Sequence, residues 1–171
     1  MSSSPYVETT PPRRALRWFG GTRFGSWLNS HTMSRIDRYV YRLTGGRHSY
    51  VGLLTGLRVV MLTTKGARTG REITVPVLAV VHGGRIGVVA SNFGSRNHPA
   101  WYHNLKASPV AVLGLDGRRY PVRARAASVD ERAQFWEQAL RLYPGWSNYE
   151  RWAGNRSIPI LLLESEDRIP V

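Results

Sequence analysis

The residues best suited to chemistry fall in three stretches of a 171-residue chain. The first is Lys65-Gly66-Ala67-Arg68-Thr69-Gly70-Arg71. Its two glycines let the backbone approach a ligand and point amides at it, and Lys65, Arg68 and Arg71 can give charge-assisted hydrogen bonds to phosphate or carboxylate oxygens. The spacing is not that of a Walker loop. An exposed hairpin loop, where glycine turns the chain and arginine meets water, explains the same composition about as well. The second stretch is Ser91 with Asn92-Phe93-Gly94-Ser95-Arg96-Asn97-His98, which leaves a strand and enters a helix. Backbone amides and side-chain donors at such a junction commonly meet anionic or carbonyl groups. No Gly-x-Ser-x-Gly elbow surrounds Ser91, so its candidate role is hydroxyl donor to a reacting carbonyl or nitro oxygen rather than nucleophile. A satisfied strand-end serine is the commoner case. On the helix that follows, Trp101 and Leu105 stand four apart and belong to the core, which leaves Tyr102 and Asn104 for polar contacts. The third stretch holds Tyr143, Trp146, Tyr149 and Trp152. Aromatics at three-residue intervals are more often core than pocket, yet they also make the wall against which a flat ring stacks.

Other chemistries are excluded or unsupported. There is no cysteine, so disulfides, thiol nucleophiles, iron–sulfur clusters and cysteine zinc sites are ruled out. His31, His48, His82, His98 and His103 form no metal pattern, and His98 and His103 miss the i, i+4 spacing of helical zinc ligands, so no metal is expected. No carboxylate pair suggests hydrolysis. The net charge of +13 predicts an anionic partner. Residues 1–71 hold 12 basic and 2 acidic residues, a local +10. Nucleic acid, acidic lipid and a phosphorylated or polycarboxylate ligand all satisfy such a surplus, and a GC-rich genome also enriches arginine. No recognised nucleic-acid motif appears, so nucleic acid is not expected. Without a signal-peptide pattern or an apolar run of membrane-spanning length, the expected location is the cytosol, with peripheral contact to a membrane as an option.

These residues must be positioned by a mixed α+β domain. Residues 1–14, rich in serine, threonine and proline, are expected to be a disordered lead-in. Residues 15–46 form a basic helical segment in which Ile36, Tyr39, Val40 and Leu43 share an apolar face, Arg35, Arg38 and Arg42 face away, and Gly45 and Gly46 stop the helix. The domain proper spans 47–171. Its expected strands are Leu57 to Thr63, Ile73 to Val81, Arg85 to Ser91, Val110 to Leu115, Arg118 to Ala126 and Ile158 to Leu163, with His82-Gly83-Gly84 and Asp116-Gly117 as turns. The expected helices are Ala100 to Ala107, one opened by the capping box Ser128/Glu131 and closed by Pro144, and Gly145 to Ala153. Six antiparallel strands with inserted helices suggest a barrel or sandwich. No Gly-x-Gly-x-x-Gly follows a strand, which argues against a Rossmann fold.

Leu62-Thr63-Thr64, Gly66, Arg68-Thr69-Gly70, Pro76, Val89-Ala90-Ser91, Pro99-Ala100-Trp101-Tyr102, Asn104-Leu105, Leu142-Tyr143-Pro144, Tyr149 and Ile158-Pro159 follow one another in an order and spacing that belong to a resemblance covering roughly residues 33–165. Together they resemble the deazaflavin-dependent nitroreductases and quinone reductases of actinobacteria. That resemblance implies a split β-barrel, related to flavin-mononucleotide (FMN) barrels, that binds coenzyme F420, a deazaflavin with a phosphate and an oligoglutamate tail. It implies hydride transfer from the reduced coenzyme to a quinone, nitroaromatic or activated alkene. In the cofactor site it implies, Ala67, Arg68, Thr69, Gly70, Arg71 and Glu72 hold the phosphate and tail. Met61, Leu62 and Thr63, then Val88, Val89, Ala90, Ser91 and Asn92, and finally Ala100, Trp101, Tyr102, His103 and Asn104 surround the ring. Ser91 and Tyr143 are the implied donors to the substrate, and Leu78, Trp146 and Tyr149 the implied substrate pocket. Ile73 replaces an arginine usual in relatives near the tail, and Leu78 and Trp146 replace tyrosines found in some, which implies a more apolar pocket. FMN in the same groove is the alternative cofactor. A non-catalytic cofactor carrier and a basic nucleic-acid-binding module are the alternatives from other classes. The basic N-terminal helix can either rest on anionic lipid or pack on the barrel through Ile36, Tyr39, Val40 and Leu43, packing being the preferred expectation.

Overall fold

The computed structural model describes residues 11–20, 22, 36, 39–40, 43–44 and 50–170. Six strands, β1 (Val59–Lys65), β2 (Glu72–His82), β3 (Arg85–Val89), β4 (Val110–Leu115), β5 (Arg118–Ala126) and β6 (Ile160–Glu164), close into a barrel in the order β1-β2-β3-β6-β5-β4. Every neighbouring pair is antiparallel. The α+β split-barrel expectation is met, with helices at the periphery.

Side-chain alternation divides the apolar residues between two cores. On β5, Tyr120, Val122 and Ala124 point into the barrel while Arg119, Pro121, Arg123 and Arg125 face outward. The interior core gathers Val60, Leu62, Val88, Leu113, Leu161 and Leu163, and Trp101 and Leu105 of helix α3 (Ala100–Ala107) join it. The outer core lies over β2, β3 and β6. There Val80, Val89, Ile160 and Leu162 meet Phe135, Ala139 and Leu142 of α4 (Val129–Leu142) and Trp146 and Tyr149 of α5 (Gly145–Trp152). Covered on both faces, β3 and β6 read as continuous apolar runs. A Cβ at Gly87 would lie 2.7 Å from the Phe135 ring, so the absence of a side chain on β3 is what lets α4 sit this close.

The capping box that opens α4 is present: Ser128 Oγ accepts from the Glu131 amide, and the Glu131 carboxylate accepts from the Ser128 amide. Glu131 also receives Arg125 and Arg85. The hydrogen bond from Arg125, then that from the Ser128 backbone, holds its carboxyl well below the usual carboxylate range.

Several boundaries differ from those read in the sequence. β1 begins at Val59 rather than Leu57, because Leu57 packs in the outer core and not in the barrel wall. β6 begins at Ile160, since Ile158 likewise serves the outer core. A short helix, α2 (Tyr50–Thr55), was not anticipated. Helix α1 runs Pro11–Gly20, so it starts inside the stretch expected to lack structure. Proline is tolerated in a first helical turn, where its missing N–H has no partner to lose. Arg17 of α1 is buried and donates to the backbone oxygens of Thr55 and Leu142, tying α1 to α2 and to the C-terminal end of α4.

Ile36, Tyr39, Val40 and Leu43 are helical, but Ile36 is 36% exposed, Tyr39 66% and Leu43 69%. Val40 of the same face is half-buried, and the outer surface of β2, β3 and β6 is covered by α4 and α5. Residues 1–10, Arg35, Arg38, Arg42, Gly45 and Gly46 lie outside the described residues.

Candidate active site

Strand direction collects the predicted site residues. β1 and β5 run toward one end of the barrel and β2, β4 and β6 away from it. That end therefore carries the β1–β2 loop, the exit of β3, helix α3 and the start of β6. The opposite end carries the His82-to-Arg85 and Asp116-Gly117 turns. A cavity of about 530 Å³ between Gly84–Ile86 and Leu162–Ile169 opens there, and it contains none of the predicted residues.

The β1–β2 loop is held by its own backbone and by one side chain. Gly66 N donates to Arg71 O and Gly70 N to Gly66 O, both at 2.8 Å. Asn104 of α3, buried at 6% exposure, accepts from Ala67 N and donates to Thr64 Oγ1, each at 3.0 Å. Asn104 was expected to contact a ligand; it spends its amide on fixing the loop to β1 and α3. The glycine amides are consumed in the same way. The N–H groups of Arg68 and Thr69 at the tip make no hydrogen bond among the described residues, and the Lys65, Arg68 and Arg71 side chains, all exposed, make no ion pair there. Ile73 lies against the loop, its Cδ1 3.2 Å from where a Gly66 Cβ would be, so it braces the turn and adds no cation.

Beyond β3 the backbone takes an unusual path. Asn92 (φ 47°), Phe93 (φ 53°) and Gly94 (φ 74°) are consecutive left-handed residues in a 3-10 turn, a strained conformation for the first two. Gly94 is required, because a Cβ there would meet Tyr149 Cα at 2.9 Å. Arg156 holds this segment, a residue the sequence reading passed over. Its Nη1 donates to Ala90 O at 3.1 Å, Nη2 to Ser91 O at 2.6 Å, Nε to Ser95 O at 2.9 Å, and Nη1 also reaches His98 Nδ1 at 3.2 Å. A guanidinium only donates, so His98 Nδ1 accepts and its proton sits on Nε2. Burial first, then the charges of Arg156, His103 and Lys106, lower the His98 pKa. Its ring stacks on Tyr102 with centroids 4.5 Å apart.

The aromatic segment forms one group with this turn. The Tyr143 and Tyr149 hydroxyls are 3.0 Å apart, both residues are buried, and Phe93 meets Tyr149 edge-on at 6.2 Å. Leu78 packs in the same cluster as Tyr143, Trp146 and Tyr149. Burial, then Tyr149, raises the Tyr143 pKa far above the ordinary phenol range, so Tyr143 stays protonated. One phenol donates to the other.

The predicted cofactor residues divide by the direction of their side chains. Leu62, Val88, Ala90 and Trp101 belong to the interior core, so a ligand could meet only their backbone. Val89 faces the outer core. Met61 is buried outside both clusters, and Thr63, half-buried beside it on the outward face, bonds Thr74 Oγ1 at 2.8 Å. Ser91 and Asn92 are half-buried, and Ala100, His103 and Glu72 exposed.

The family of F420H(2)-dependent quinone reductases matches residues 33–165. The chain belongs to that family. This member is 30% identical over 145 residues to the F420H(2)-dependent quinone reductase Rv1261c of Mycobacterium tuberculosis, 80% of this chain and 95% of that one. A solved F420-H2 dependent reductase, FDR-A, is 34% identical with a TM-score of 0.57, covering 62% of this chain and 93% of its own. A solved domain-swapped dimer is 28% identical with a TM-score of 0.58, covering 74% and 95%. The enzyme is an F420H2-dependent oxidoreductase with coenzyme F420 as its cofactor, FMN remaining only an alternative. The donor set suits an anionic coenzyme: three cations and two adjacent amides in one loop, without ion pair or hydrogen bond among the described residues, match phosphate and carboxylate oxygens.

Proposed function

We propose that this enzyme reduces a quinone at the barrel end bounded by the Lys65-to-Arg71 loop, the Ser91-to-His98 turn and α5. The observation that carries the reading is the convergence, at one end of the barrel, of a cationic loop with no ion pair among the described residues and a buried aromatic wall. When bound, the reduced deazaflavin supplies the hydride.

The chain's own residues do the rest. Arg68 and Arg71 hold the phosphate and tail by charge-assisted hydrogen bonds, with Lys65 adding charge and the Arg68 and Thr69 amides capping an oxygen. The outward backbone at Met61 and Thr63 and the polar edge of α3 border the ring. Ser91 Oγ donates to the acceptor oxygen that gains negative charge, with the Tyr143 hydroxyl as the second donor. Leu78 and Trp146 supply apolar surface that seats a flat ring and excludes water. Nitroaromatics and activated alkenes fit the same geometry, since each develops charge on oxygen as it accepts hydride.

Anaerobic mixing of the protein and F420H2 with a soluble naphthoquinone, a nitroaromatic and an enone tests this directly. Quinone reduction at the highest kcat/KM supports the reading. Reduction of none of the three by a protein that binds the coenzyme would refute it.

A second reading concerns place. Exposure of Trp18, Ile36, Tyr39 and Leu43 within a strongly basic N-terminal region favours peripheral contact with anionic lipid at the cytosolic face, where a menaquinone-like acceptor resides. Among the described residues no helix is long and apolar enough to cross a membrane. Liposome pull-down of the full chain and of a chain lacking residues 1–30 decides this: equal binding by both removes the membrane contact.

A further inference from the structure

We infer that Arg156 is a positioning residue for the reaction, holding the Ser91-to-His98 turn in its strained form and thereby fixing the direction of the Ser91 hydroxyl and of His98 Nε2–H. The inference rests on the proposed reading of Ser91 as donor. Arg156 follows α5, yet all four of its partners, Ala90 O, Ser91 O, Ser95 O and His98 Nδ1, lie within one nine-residue stretch that brackets the 3-10 turn.

The distribution of these bonds matters more than their number. Two grip the end of β3 and two grip the return into α3, so one planar guanidinium spans the mouth of the left-handed turn. Asn92 and Phe93 do not relax to the favoured side of φ because both ends of their segment are pinned. Gly94 packs directly against Tyr149 of α5, so both Arg156 and α5 hold the turn. The bond to Nδ1 also fixes the His98 tautomer, which sends its proton outward from Nε2. Lysine reproduces the charge but not the fork, since a single ammonium cannot reach acceptors spread along two chain directions.

The test compares Arg156→Ala and Arg156→Lys with Arg17→Ala, a buried arginine that likewise donates to backbone oxygens but away from this turn. Thermal midpoint, F420 dissociation constant, kcat and KM for a naphthoquinone, rescue by added guanidinium and amide hydrogen exchange are measured on the full chain. Arg156→Ala should lower kcat by roughly 30- to 100-fold, as an angstrom of misplacement does, with the F420 dissociation constant changed less than about 3-fold. Added guanidinium should restore part of kcat, Arg156→Lys should fall between, and exchange should rise selectively at 91–98. Arg17→Ala should lower the midpoint and leave kcat alone. Unchanged kcat in Arg156→Ala overturns the inference, as does a kcat loss that guanidinium fails to rescue and that Arg17→Ala matches. If the wild-type chain fails to reduce quinones, the functional reading falls, while hydrogen exchange still reports whether Arg156 holds the turn.

Discussion

Truncating Asn104 to alanine isolates the contact that joins the cationic loop to the rest of the site. The side chain is 6% exposed and makes two hydrogen bonds of 3.0 Å, one accepted from Ala67 N and one given to Thr64 Oγ1, itself on a residue only 1% exposed. Each bond contributes about 1 kcal/mol net, and leaving the Thr64 hydroxyl and the small void unsatisfied adds about another 1 kcal/mol. A total near 3 kcal/mol corresponds to a fall of roughly 6–12 °C in thermal midpoint for a domain of this size. The functional consequence is separate. With Ala67 released, the loop no longer waits in its binding form. If that form drops to about a tenth of the population, F420 affinity weakens about tenfold. Asn104→Asp distinguishes geometry from charge, because a carboxylate accepts from both Ala67 N and the rotated Thr64 hydroxyl but sets a negative charge beneath an anion-binding loop. Its affinity loss should shrink as salt is added, whereas that of Asn104→Ala should not. Fluorescence titration with F420 beside thermal unfolding gives both numbers. A lowered midpoint with affinity unchanged within about twofold would refute the assignment of this loop to the coenzyme.

Three further outcomes follow from the geometry. Gly94→Ala combines the cost of an L residue at φ 74° with a Cβ 2.9 Å from Tyr149 Cα, so unfolding should show a loss of about 3 kcal/mol and kcat should fall with it. His98 has a pKa below its unfolded value, so its neutral ring contributes stability that is complete above about pH 6.5 and is lost as pH falls through the lowered folded value. Midpoints measured across that window should drop in the wild type and stay flatter in His98→Gln, since protonation sets an imidazolium against Arg156, His103 and Lys106. Tyr143→Phe removes the Tyr143–Tyr149 bond and the Tyr143 donor and should lower kcat about tenfold at a stability cost of about 1 kcal/mol, while in the wild type Tyr143 should contribute no ionisation to the rate near the ordinary phenol range of about pH 10.

What the sequence made legible was set by local rules. Helix α3 and strands β4 and β5 have the boundaries read from Pro99, Pro109 and Asp116-Gly117, and the capping box at Ser128 marks the start of α4, because proline, turn glycine and caps act within a few residues. Apolarity alone misplaced the starts of β1 and β6, since Leu57 and Ile158 are as apolar as strand residues yet serve the outer core. Arg156 gave no local signal: in Gly154-Asn155-Arg156-Ser157 it reads as a solvated turn arginine, and its partners lie 58 to 66 residues away. For Asn104 the polar role was anticipated and its recipient was not, because the Ala67 amide reaches it only after the barrel closes.

The most direct test of the account is titration of the full chain, and of Arg68→Ala/Arg71→Ala, with F420 and then with FMN under the same conditions. The account predicts tight F420 binding that weakens at least tenfold in the double variant and with added salt, and weaker binding of FMN, which lacks the oligoglutamate tail. F420 affinity that is indifferent to both arginines, or a preference for FMN, would contradict it.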